Sequence, residues 1–223
     1  MPGRKLRYTA LGDSIARGIG ATKQYGYVYF FRDFLQKKHG DIHLSNRAIS
    51  GIKSSVLLAQ LKFDPITRYA VKNAEVITIS IGGNNLLVGA RANYYSISDS
   101  RANTGVVNFK KDWLKILHEI RQGIKSNAKI YTMTIYNPFK GDDENYKVAN
   151  NYIHQINAEI RDQTLIANYN YKIADVYNDF KGRVKHGTWK VCVKTHFSEK
   201  IRDPHPTDIG HKDISRSHEK IYQ

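Results

Sequence analysis

The sequence runs to 223 residues, enough to bury one sizeable core, and its length favours a single domain spanning residues 1–223. With 41% hydrophobic and 25% charged residues it is neither a disordered nor a fibrous chain, and its single cysteine, Cys192, excludes an intramolecular disulfide and a cysteine-based metal site. The net charge of +15 attracts anionic partners such as phospholipid headgroups, cell-wall polyanions or nucleic acid, yet Arg4, Lys37, Lys110, Lys181 and Arg183 show it spread along the chain, as on a solvated surface.

In chain order, residues 1–5 lead straight into a strand-like run at 6–11, without the apolar region of a signal peptide. No stretch approaches the roughly 18 consecutive apolar residues of a membrane-spanning helix. The chain therefore reads as soluble, and as secreted only if an export signal has been removed upstream. Helical periodicity covers 27–38 and closes at Gly40, and a second strand follows at 42–46. A third strand occupies 75–81. Residues 89–108, with Tyr94, Tyr95 and several Ser and Asn, read as a long loop. A helix at 109–125, a strand at 129–135, a helix at 146–167 and a strand at 171–176 complete the series. Strands alternating with helices imply an α/β fold with a mostly parallel five-stranded sheet covered on both faces. Ligands of such sheets bind beyond the carboxyl ends of the strands. Gly12-Asp13-Ser14, Ser50-Gly51 and Gly82-Gly83-Asn84-Asn85 each follow a strand, so three polar turns converge.

These turns carry the parts of an acyl-transfer site. A serine hydroxyl needs a base within hydrogen-bond reach and donors aimed at the developing oxyanion. Ser14 lies at a strand-to-helix turn that exposes its oxygen. Gly51 permits close backbone approach with its N–H toward a ligand, and Asn84 offers a side-chain amide. His205, in Asp203-Pro204-His205-Pro206, sits between two prolines that stiffen its loop. Taken singly, each has a plainer reading: Asp13 and Ser14 as a helix cap, Gly51 as a turn glycine, Asn84 and Asn85 as turn residues, His205 as one of nine histidines. Their order, spacing and strand-end placement agree only for a site.

At these residues the sequence resembles the SGNH, or GDSL-type, esterase and lipase superfamily. Residues 10–14, 46–55 and 79–85 are similar to its first three blocks, and Asp203-Pro204-His205-Pro206 to its last. The resemblance implies a three-layer, flavodoxin-like α/β/α sandwich, Ser14 as nucleophile, His205 as base, and an oxyanion hole of the Ser14 and Gly51 amides with the Asn84 side chain. It implies no metal and no organic cofactor. Two departures stand out. Asn85 replaces the family aspartate, and Arg202 holds the position three before the histidine where the family carries its triad aspartate. Asp203, two before His205, is the carboxylate expected to complete the triad.

The expected function is hydrolysis of lipid-like or short acyl esters through an acyl-enzyme. The same parts would serve a carbohydrate acetyl-esterase or an acyltransferase. Asn85 and the displaced Asp203 motivate a reading of another class, a non-catalytic binding protein on a degenerate hydrolase scaffold. The aromatic cluster Tyr25, Tyr27, Tyr29, Phe30 and Phe31 would favour anionic phospholipids if exposed, or pack as core on a helix. The charge points to association with an anionic surface or membrane, whereas no stacking motif or basic helix marks a specific nucleic-acid site.

Overall fold

The computed structural model describes residues 5–87, 96–198 and 200–223. Five parallel strands, β1 (Leu6–Gly12), β2 (Ile42–Asn46), β3 (Val76–Ser80), β4 (Lys129–Met133) and β5 (Tyr171–Ala174), form one sheet in the order β2-β1-β3-β4-β5. All five sequence-predicted strands are present, with ends that differ by a residue or two.

Alternation along the strands divides the core into two layers, because successive side chains point to opposite faces. Ile77, Ile79 and Ile130 face one cluster, built with Leu57 and Leu61 of α3 (Ser54–Phe63), Trp113 of α6 (Asp99–His118) and Ile156 of α7 (Tyr146–Ile160). Tyr8, Ala10, Val76, Tyr131 and Met133 face the other, with Ala16 of α1 (Ser14–Arg17), Phe31 of α2 (Tyr27–His39) and Ile214 of α11 (Asp208–Ile221). The result is a three-layer α/β/α sandwich, whose shorter helices include α4 (Pro65–Asn73), α9 (Val176–Phe180) and α10 (Lys190–Lys194). Tyr27 and Phe31 are completely buried, so the core reading of these two aromatics is the correct one.

Three expectations need correction. Within 89–108, residues 99–108 are helical, as the first half of α6, while 89–95 lie outside the described residues. The helix expected from 109 therefore begins ten residues earlier, and after His118 the chain widens into a π-helical turn, Glu119–Gly123. The helix expected over 146–167 is two, α7 and α8 (Gln163–Tyr169), because Asp162 caps a new start by accepting from the Leu165 amide. Finally, His205 lies not in a loop but on β7 (Arg202–Pro206), paired antiparallel with β6 (Thr195–Phe197).

The sheet order reverses direction between β1 and β3. In doubly wound sheets the crevice outside the strand ends at that switch point is where ligands bind.

Candidate active site

Gly12 makes the end of β1 possible. Its φ is +128°, and a Cβ there would lie 1.9 Å from the Ser80 carbonyl oxygen, so only glycine lets β1 press this closely on β3. The chain then turns, with the Asp13 amide donating to Ser80 O at 3.0 Å. The Asp13 carboxylate caps α1 by accepting from the Ile15 amide at 3.1 Å. Ser14 is the first residue of α1, where a helix leaves its backbone N–H without an intrahelical partner.

His205 reaches this turn from the C-terminal hairpin. Its Nε2 lies 2.9 Å from Ser14 Oγ, and its Nδ1 lies 2.5 Å from Asp203 Oδ1. The His205 backbone N–H also donates to that oxygen, at 3.0 Å. Asp203 and His205 are i and i+2 on an extended strand, so their side chains share one face. The shortened spacing thus suits a strand, whereas Arg202 belongs to the alternate face. Its guanidinium lies 3.9 Å from Asp143 and over the Phe197 ring. Tyr136 OH donates to Pro204 O at 2.5 Å, tying the strand to the loop after β4.

The two remaining predicted residues line the same crevice. Gly51 adopts φ +78°, with open space where a Cβ would stand. Asn84, in α5 (Gly83–Leu87), donates through Nδ2 to Ile52 O at 2.9 Å. Since a carbonyl requires a donor, this fixes which end of the amide is nitrogen and leaves its second N–H for a ligand. Asn85 is buried at 2% exposure; its Oδ1 accepts from the Ser54 amide at 3.0 Å and its Nδ2 donates to Ser54 Oγ at 2.8 Å.

Beyond Ser14 the crevice widens into a cavity of about 360 Å³. It runs past Leu86 and Ile135 to Phe139, and is walled by Ala149, Tyr152 and Ile153 of α7. Sequence reading missed this wall, since its residues have the spacing of ordinary core. Asp13 was seen only as a cap. Burial pushes its carboxyl up to about 7, against the hydrogen bonds from Ile15 and Ser80 that favour the charged form. Among the described residues no group of three or more His, Cys, Asp and Glu could hold a metal ion.

A model of the GDSL-like Lipase/Acylhydrolase family matches residues 10–212. The chain is 30% identical over 185 residues to the spore germination lipase LipC of Bacillus licheniformis, covering 81% of this chain and 84% of that protein. It is also 30% identical over 132 residues to the uncharacterized protein YpmR of Bacillus subtilis, covering 58% of this chain and 51% of YpmR, so it spans about half of that relative. The crystal structure of the lipase Lip_vut3 from a goat rumen metagenome matches with a TM-score of 0.78 at 27% identity over 97% of each chain. An acetyl xylan esterase, AlAXEase, shares the fold with a TM-score of 0.62 at 18% identity, over 97% of this chain and 100% of that one.

Proposed function

Because the chain belongs to the GDSL-like Lipase/Acylhydrolase family and is thereby an ester hydrolase, we propose that it cleaves carboxylic esters through an acyl-enzyme on Ser14. The observation that carries this reading is the line of hydrogen bonds from Asp203 through His205 to Ser14 Oγ. With Nδ1–H donating to the carboxylate, Nε2 is the basic nitrogen and faces the serine hydroxyl. His205 takes the Ser14 proton as Oγ attacks the ester carbonyl. The carbonyl π pair moves to oxygen, and the Ser14 and Gly51 amides with Asn84 Nδ2 hold that oxyanion. Collapse breaks the ester C–O bond, and His205 passes its proton to the departing alcohol. Water, deprotonated by His205, then attacks the acyl-serine carbonyl; the C–Oγ bond breaks as His205 returns the proton to Ser14 Oγ, releasing the acid and free Ser14.

The cavity supports an acyl chain longer than acetyl. From β1 past β3 to β4 the crevice spans two interstrand steps, about 10 Å. An extended chain advances roughly 1.2 Å per bond, as the backbone does, which matches an acyl group of about eight carbons. An acetyl group would leave this apolar wall in contact with water. The charge of +15 favours esters with anionic headgroups through steering.

Hydrolysis of p-nitrophenyl esters from acetyl to palmitoyl, with Ser14→Ala as control, tests both statements. We expect a maximum near octanoyl and no turnover in the variant. Residual Ser14→Ala turnover above a few per cent would remove the acyl-enzyme, and a maximum at acetyl would move the assignment to a short-chain esterase. Failure of a fluorophosphonate to label Ser14 would favour the non-catalytic binding scaffold instead.

A further inference from the structure

We propose that Asp112 is a positioning residue for the oxyanion donors, acting through Ser54 and Asn85; this rests on the reading of Gly51 and Asn84 above. Ser54 opens α3 and is completely buried, and its hydroxyl lies 2.7 Å from Asp112 Oδ2. The direction of every bond in this cluster is determined. Asn85 Oδ1 accepts the Ser54 amide, so Asn85 Nδ2 is the group facing Ser54 Oγ and must donate. The Ser54 hydroxyl proton is then committed to Asp112, whose carboxylate can only accept. One chain of donation runs from Asn85 through Ser54 to Asp112, ending on a charge-assisted bond.

Its place in the fold gives it a role. Asn85 is the neighbour of Asn84, and Ser54 lies three residues after Gly51. The two segments that would supply oxyanion donors are joined twice, by Asn84 Nδ2 to Ile52 O and by the paired Asn85 and Ser54 bonds. Asp112 anchors this clamp to α6, where the flanking Phe109 and Trp113 are completely buried and stacked with ring centroids 6.0 Å apart. Preorganised donors lose effect when they must reorganise during the reaction. The carboxylate absent at position 85 is thus supplied from a third element through a serine.

Steady-state kinetics on p-nitrophenyl octanoate, with thermal melting of each variant, test the proposal. We expect Asp112→Ala to lower kcat roughly tenfold, a fraction of the hundredfold or more attached to one whole donor, with KM within about twofold. Asp112→Asn, which keeps the size and removes the charge, lowers kcat less and guards against a folding failure of the alanine variant. The double variant Asn84→Ala/Asp112→Ala should lose less than the product of the two single losses, since the part of the Asp112 effect that acts through Asn84 is already gone while the part that acts on Gly51 remains. Wild-type kcat in either Asp112 variant, a loss in Tm with unchanged kcat, or additive losses in the double variant would overturn the proposal while the oxyanion reading stands. Wild-type kcat in Asn84→Ala would overturn that reading and this proposal with it.

Discussion

Asp203 and His205 are separated by one residue, and the consequence depends on backbone shape. In a turn this spacing points the two side chains apart; on β7 it points them to the same side, and the 2.5 Å contact follows. In the proposed mechanism a carboxylate here fixes the imidazole tautomer and stabilises the imidazolium formed as Ser14 attacks. Asp203→Asn should therefore lower kcat by a large factor, up to the roughly 10⁴-fold loss known for a neutralised triad aspartate in a serine protease. Steady-state kinetics decide this, and a loss below tenfold would mean that a Ser-His dyad suffices. Ser14, Gly51 and Asn84 stand out in the sequence because each follows a strand within a glycine-containing block, and His205 because two prolines flank it. The bond from Asp203 was only half legible, since spacing alone does not say whether the segment is extended.

The apolar wall of the cavity belongs to elements rather than to single residues. Its residues on α7 recur at helical spacing, and nothing in that periodicity separates a cavity wall from packed core; the distinction arises from what faces the helix. Ala149→Phe should fill the cavity from α7 and move the preferred p-nitrophenyl ester toward shorter chains, with little effect on acetyl ester turnover. The same ester series measures it, and an unchanged chain-length profile would show that the acyl group lies elsewhere. The start of α6 has the sequence of a loop for a related reason. Asn103, Thr104, Gly105 and Asn108 are poor helix formers, but a Cβ at Gly105 would lie 2.1 Å from the Asn85 carbonyl oxygen. Glycine there lets α6 approach α5 closely, and packing of Ala102, Val106 and Phe109 outweighs the weak local propensity.

Across the whole molecule, buried titratable groups set the response to acid. His211 and His218 are completely buried, and that burial lowers both to about 4 from an ordinary value of 6.5. His211 is held as a neutral ring, with Nε2 donating to Ile19 O at 2.9 Å and Nδ1 accepting from the Tyr27 amide at 3.2 Å. The unfolded chain takes up these two protons below pH 6.5 and the folded chain does not until about pH 4, so stability falls as pH drops through that window. Each histidine contributes on the order of 3 kcal/mol by this linkage. Asp13 acts in the opposite sense, because its folded value near 7 means that stability is lost as pH rises from 3.8 to 7, by about 4 kcal/mol. The two histidines together outweigh it, and a net loss of stability between pH 7 and pH 4 is expected. Thermal melting against pH measures this, and Asp13→Asn should steepen the fall; a flat profile would contradict the assignment. By itself the sequence determined the strand series, the sandwich class and the strand-end turns, because hydrophobic periodicity and glycine conformation are local properties. Only the tertiary structure decided the extended state of β7, the depth of the apolar cavity beside Ser14 and the bond from Ser54 to Asp112. Each depends on which distant segments meet, and residues 58 or 191 positions apart carry no local signal of their contact.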